Sequence, residues 1–218
     1  MKLPLEFFII RSRIISRIRG IFNNQYDKLL DIGSGSDADY HEFIKGKLVS
    51  FDIKKSGKSH VIGDADFLPF RKASFNKIIC VNSFYYFKNP FKVVGYIHNA
   101  LKQNGKLVMV LPFFYPVHDK PVDRYRFTER GLRTILEEKF RIEKIEAIGG
   151  LFTLPSVALH SMIKGIPSVF PPGTKFLASF ISLVLWPFYF VSQFLSLLDF
   201  LDSSERIPTY YFVVAAKK

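Results

Sequence analysis

The sequence predicts an α/β fold, a doubly wound and mainly parallel sheet carrying an apolar helical insertion. Three observations carry this. Short apolar runs ending in glycine or an acid alternate with helix-like stretches across residues 26–148, the pattern of strand–helix–strand units. The first run, Leu29-Leu30-Asp31-Ile32, breaks at once into Gly33-Ser34-Gly35, a turn open to close approach because no Cβ stands in the way. A long run from Phe176 to Leu198 carries no charge and interrupts the alternation before the final strand.

With 218 residues, 48% of them hydrophobic, the chain can bury a core as one domain with an elaboration. A single cysteine excludes an internal disulfide, and its place in Lys77-Ile78-Ile79-Cys80-Val81 makes it a buried small hydrophobe. The net charge of +12 is consistent with a polyanionic neighbour, whether nucleic acid, an anionic bilayer or substrate phosphate, and equally with solubility alone. No nucleic-acid module or zinc-ligand spacing accompanies that charge. His41, His60, His98 and His160 are read as non-ligands, so no metal is expected.

Leu5 to Phe22 reads as an amphipathic basic helix within an N-terminal segment, residues 1–25. Phe7, Ile10, Ile14, Ile18 and Ile21 recur at helical spacing while Arg13, Ser16, Arg17 and Arg19 take other faces. Arginines inside and after the apolar run, with no small-residue cleavage site, argue against a secretory signal. Two readings stay open: a helix packed on the sheet edge, or an interfacial helix pressing isoleucines into lipid while its arginines meet anionic headgroups.

In the glycine turn, Gly33, Gly35 and Ala38 also satisfy a dinucleotide-binding pattern, so the turn alone does not select a ligand. Ala38 to Ile44 can form a short helix, and Lys47 to Asp52 reads as a second strand closing on an acid placed to accept hydrogen bonds from a ribose diol. A third strand, His60 to Gly63, runs into Asp64-Ala65-Asp66-Phe67-Leu68-Pro69-Phe70. Ile78 to Val81 is the fourth strand and Leu107 to Leu111 the fifth.

Taken in order, Leu30-Asp31-Ile32-Gly33-Ser34-Gly35, Asp52, Gly63-Asp64-Ala65 with Leu68-Pro69-Phe70, Ser74-Phe75-Asn76-Lys77-Ile78-Ile79 and Leu101 to Val108 resemble class I S-adenosylmethionine-dependent methyltransferases of the type 11-like kind. The resemblance covers residues 26–148 and the last strand, 209–218. It implies a Rossmann-like sheet of seven strands with an antiparallel last strand, and S-adenosyl-L-methionine as cofactor. It implies further that Asp31, Gly33 and Gly35 line the methionine moiety and that Asp52 binds the ribose hydroxyls. Asp64 and the Ala65 amide would contact adenine, and Asn82 and Ser83 would lie beside the sulfonium. Two positions depart from the family pattern. Asp37 holds the third glycine position, and Tyr86 stands where many relatives have histidine, which removes a possible base.

The loop after the fifth strand, Pro112 to Thr128, should overhang the reacting methyl, because loops at strand carboxyl ends line the crevice of such sheets. Its His118, Pro121, Asp123, Arg126, Phe127 and Thr128 resemble a pattern found in methyltransferases of glycan or lipid assembly. His118 is a candidate base or a loop brace. Asp123 and Arg126 are candidate substrate contacts or a structural ion pair. Thr128 reads as the N-cap of a helix from Glu129 to Phe140.

Arg141 to Ile148 and Thr209 to Ala216 read as the last two strands, so residues 149–208 form an insertion expected over the cofactor edge as a lid or membrane dock. It holds Leu154 to Phe170, a Pro171-Pro172-Gly173 turn and the chargeless run. That run is long enough to span a bilayer, but Pro187 is expected to kink or split it, and Ser179, Ser182, Trp186, Tyr189, Gln193 and Ser196 fall on one stripe. The expected function is methyl transfer to a lipid-linked, glycan or other hydrophobic small-molecule acceptor, by a cytoplasmic protein held peripherally on an anionic membrane. The alternatives are an inactive membrane-associated interaction module, an RNA methyltransferase and a nucleotide-linked dehydrogenase. The oligomeric state is not legible.

Overall fold

The computed structural model describes residues 8–35, 38–55, 60–117, 122–204 and 206–218. Seven strands form one sheet in the order β3-β2-β1-β4-β5-β7-β6, comprising β1 (Lys28–Ile32), β2 (Lys47–Asp52), β3 (Val61–Ile62), β4 (Phe75–Val81), β5 (Leu101–Pro112), β6 (Phe140–Ile148) and β7 (Tyr210–Lys217). Parallel pairing joins β3, β2, β1, β4 and β5. β7 runs antiparallel to β5, from Lys106 opposite Ala216 to Pro112 opposite Tyr210. The α/β class, the seven strands and the reversed last strand are those the sequence implied. Leu29, Leu30, Ile78, Ile79 and the Leu107–Leu111 run are fully buried, as a sheet covered on both faces requires.

The helices are α1 (Phe8–Ile21), α2 (Pro90–Ala100), α3 (Glu129–Leu136), α4 (Leu154–Val169) and α5 (Lys175–Leu195). Asn89 caps α2 by accepting from the Lys92 amide at 3.0 Å, with Pro90 in the first turn. Thr128 caps α3 as expected, accepting from the Gly131 amide at 3.1 Å. β5 and α3 are among the elements whose bounds differ from the sequence reading. β5 starts at Leu101 rather than Leu107, because a register shift against β4 and a left-handed Asn104 absorb the extra residues as a bulge. α3 stops at Leu136 because the fully buried Phe140 already opens β6.

The chain divides into two compact units. The sheet unit comprises Ile14–Phe113, Val117–Glu146 and Tyr210–Lys218. In it Arg17 of α1 donates to both oxygens of Glu146, at 3.0 and 2.5 Å, and Lys144 adds a contact at 2.6 Å. These bonds hold the Glu146 carboxyl down to about 2 from an ordinary 4.5, so the stabilisation is complete above that ordinary value and is lost as pH falls toward 2. Because both groups are partly solvated, Arg17→Met should lower stability by only about 0.5–1 kcal/mol at neutral pH. Thermal unfolding followed as a function of pH should show the difference from wild type closing as the solution is acidified below the ordinary glutamate range.

The helical unit comprises the residues up to Arg13, Phe114–Pro116 and Ala147–Thr209. α4 and α5 pack on each other across a turn at Pro172–Thr174, and α5 continues as a 3-10 turn, Ser196–Leu201. Hydrogen-bonded polar groups lie inside this unit. Asp199 accepts from the Phe152 amide at 3.1 Å and the Thr153 hydroxyl at 2.6 Å and faces Arg13 at 3.6 Å, while Gln193 accepts from the Phe8 amide at 2.8 Å. His160 lies between the rings of Tyr115 and Tyr189.

Two expectations about apolar surfaces need correction. Ile10, Ile14 and Ile18 of α1 are buried in protein, so the interfacial-helix reading of those isoleucines does not hold. Pro187 does not split α5, which is helical from Lys175 to Leu195; its ring lies on the exposed side of the helix, where the lost backbone bond is least costly.

Along α5 the usual polarity is inverted. Tyr189, Gln193 and Ser196 are 2%, 2% and 0% exposed, whereas Phe176, Leu183 and Val191 are 69%, 69% and 63% exposed. At 3.6 residues per turn Phe176, Phe180, Leu183, Pro187 and Val191 share one outward face, opposite the polar stripe. Ser179, read from the sequence as part of that stripe, is exposed.

Candidate active site

The carboxyl ends of β1, β2, β3 and β4 place the glycine turn and the acids along one sheet edge. β1 runs into Gly33 and Gly35, both with left-handed backbone (φ 76° and 58°). The Gly33 amide donates to the Phe51 carbonyl at 2.7 Å, and the Gly35 amide donates to Asp52 Oδ2 at 2.8 Å. The turn is thereby tied to the end of β2. A Cβ on Gly33 would lie 2.3 Å from the Ser83 Cβ, whereas the same position on Gly35 faces open space.

Beneath the turn sits Asp31, completely buried in β1. Its Oδ2 accepts from Tyr40 Oη at 2.7 Å and lies 2.5 Å from His41 Nε2. Its Oδ1 is buried without a hydrogen-bond partner among the described residues. Burial pushes the Asp31 carboxyl above its ordinary range, while the bonds from His41 and Tyr40 pull it back. Tyr40 and His41 come from a 3-10 turn, Asp39–Phe43, where the sequence reading expected a short helix.

Asp52 spends one bond on each oxygen, with Oδ1 accepting from the Lys54 amide at 2.8 Å, and each oxygen has acceptor capacity beyond that bond. Asp64 caps the 3-10 turn Ala65–Phe67 by accepting from the Asp66 amide at 2.9 Å. Ala65 is buried behind it. Asp66, which the sequence reading passed over, is buried and accepts from the Lys88 and Asn89 amides, fixing the start of α2. After β4, Asn82 is exposed with φ 50°, and its amide donates to the Val110 carbonyl at 2.9 Å. Ser83 is buried and donates to the Ile32 carbonyl at 2.6 Å, so its hydroxyl braces the glycine turn. Cys80 bonds Ser83 Oγ at 2.9 Å, and burial pushes its thiol up to about 12, in keeping with a packing role.

The acceptor edge is held by ion pairing and aromatic stacking. Arg126 grips Asp123 through two bonds, 2.5 and 2.8 Å, and lies over the Tyr85 ring. Arg124 donates to the Tyr86 carbonyl at 3.0 Å. Tyr85 donates to the Tyr86 hydroxyl at 3.0 Å, and burial pushes the Tyr85 phenol well up, keeping it a neutral donor. Of the two readings of Asp123 and Arg126, the structure displays the ion pair. His118 and Asp37 lie outside the described residues. His60 bonds Ser50 and His98 stacks edge-on against Phe140.

The cradle at the glycine turn is rich in acceptors: a buried carboxylate oxygen without a partner among the described residues, a half-buried carboxylate at Asp52 and another at Asp64. It fits a ligand that brings donors, such as an ammonium, a diol and an exocyclic amine. With the strand order and reversed last strand, this is the architecture of the class I, adenosyl-cofactor methyltransferase fold.

Residues 30–109 match the family model described as a methyltransferase domain. Among solved structures, an S-adenosylmethionine dependent methyltransferase from Mesorhizobium loti aligns over 93% of this chain and 96% of its own, with 16% identity and a TM-score of 0.55. The MccD protein aligns over 95% and 97%, with 13% identity and a TM-score of 0.58. The 4+2 cyclase SpnF aligns over 94% and 80%, with 15% identity and a TM-score of 0.60. A search of the curated proteins finds no sequence match. Likeness at these identities shows the fold, and a cyclase shares it, so the reaction class rests on the family match. Residues 30–109 are thus a methyltransferase domain, and the fold built around them supports an S-adenosylmethionine-dependent methyltransferase.

Proposed function

We propose that this chain methylates a lipid-linked, glycan or other hydrophobic small-molecule acceptor at the surface of an anionic membrane, on the cytoplasmic side. In this reading Asp31 meets the cofactor's ammonium, Gly33 and Gly35 lie along the methionine moiety, Asp52 takes the ribose diol, and Asp64 with Ala65 takes the adenine edge. Asn82 borders the sulfonium, and Ser83 acts through the glycine turn. The bound cofactor supplies an electrophilic methyl. The chain's task is to hold an acceptor in line with it and exclude water. A hydroxyl acceptor also needs a base, for which His118 is the candidate. Asp123 is committed to Arg126, and that pair shapes the loop.

The observation that carries the membrane part is the inverted polarity of α5. Within the 30-residue stretch Pro172–Leu201, the most apolar window has mean hydropathy 1.7 and is only 22% buried. An apolar outer face over a hydrogen-bonded polar stripe matches a solvent of hydrocarbon rather than water. Lys164 and Lys175 flank the turn between α4 and α5. End-on insertion would drag both ammonium groups into hydrocarbon, whereas a hairpin lying flat keeps them among the headgroups. The chain is therefore read as peripheral, not spanning.

The test is to incubate the intact protein with methyl-labelled S-adenosylmethionine and separate lipid, glycan and RNA fractions of a cell extract. Label should enter the lipid-linked or glycan fraction. Label confined to RNA, or taken up by no fraction, would overturn the acceptor assignment.

A further inference from the structure

We propose that Tyr40 and His41 are positioning residues for the cofactor's ammonium group, holding the Asp31 carboxylate by one oxygen so that the other is presented to the ligand. This rests on the cofactor reading above and states how that part of the site is built.

Both side chains arise from the turn that follows the glycine loop, and both address one oxygen of Asp31, Oδ2, at 2.7 and 2.5 Å. The other oxygen, Oδ1, is buried and without a partner among the described residues. Two donors on one oxygen fix the carboxylate plane and leave the lone pairs of Oδ1 in a set direction. A buried carboxylate oxygen left in that state is costly, and a cationic N–H donor satisfies it best. The Asp31 charge, completely buried, has no solvent to share it with.

The test is isothermal titration of the intact protein with S-adenosylhomocysteine. His41→Ala and Tyr40→Phe should each bind roughly tenfold more weakly than wild type. His41→Gln, which keeps an N–H donor for Oδ2, should recover most of the affinity that His41→Ala loses, and thermal unfolding confirms that each variant is folded. Wild-type affinity in folded His41→Ala and Tyr40→Phe, or binding by His41→Gln as weak as by His41→Ala, overturns this proposal and leaves the cofactor reading standing. No binding by the folded wild-type protein overturns both.

Discussion

Gly33→Ala should lose about 2–5 kcal/mol of stability, one of the largest effects of any single methyl added to this protein. Two costs add. The backbone at Gly33 has φ 76°, a conformation costing an L-residue roughly 1–2 kcal/mol, and the new Cβ would stand 2.3 Å from the Ser83 Cβ. Ser83 cannot step aside cheaply, because its hydroxyl is bonded to the Ile32 carbonyl and packed on Cys80. Gly33→Ala with Ser83→Gly should recover the packing share of the loss and none of the backbone share. Gly35→Ala separates stability from binding. Its φ is 58° but its Cβ position is open, so it should cost only about 1 kcal/mol while weakening S-adenosylhomocysteine binding by roughly 10- to 100-fold. Denaturant unfolding and ligand titration on the same three proteins check this. Equal unfolding midpoints for Gly33→Ala and Gly35→Ala would refute the packing argument.

Replacing Phe180, Leu183 and Val191 together by aspartate should reduce binding to anionic phospholipid vesicles by at least about 100-fold. All three side chains are exposed on the outer face of α5, so the native fold loses no buried contact. Each apolar side chain that enters the headgroup boundary contributes on the order of 1.5–3 kcal/mol if fully buried and less if partly so, and a carboxylate there opposes binding instead. Co-sedimentation with vesicles measures the partition directly, and thermal unfolding confirms that the variant is folded. Wild-type partitioning of the triple variant would remove α5 from the membrane account.

What the sequence disclosed follows from what local pattern can encode. The glycine turn and the acid closing β2 are set by backbone conformation and residue type within a few positions, so Gly33, Gly35 and Asp52 stand out from spacing, whereas the role of Asp31 came only with the family resemblance. Tyr40 and His41 could not, because their role depends on a 3-10 turn folding back over Asp31, and His41 has no metal-ligand spacing to mark it. Ser83 was legible as a neighbour of the site but not as the floor under Gly33, which is a contact between strand ends far apart in sequence. Amphipathicity shows that a helix has two faces without naming what covers each. The isoleucines of α1 are covered by protein, whereas the polar stripe of α5, a solvent-facing signature in most helices, is the side turned inward. The extra length of β5 was hidden behind Asn104-Gly105, which reads as a turn and is accommodated as a bulge.

The central claim is that the edge formed by β1 to β4 holds an adenosyl cofactor, and a crystal structure of the intact protein grown with S-adenosylhomocysteine tests it most directly. The account predicts the ligand's ammonium on Asp31 Oδ1, its ribose hydroxyls on Asp52 and its adenine against Asp64 and Ala65. A ligand bound elsewhere, with Asp31 Oδ1 still lacking a partner, would contradict it.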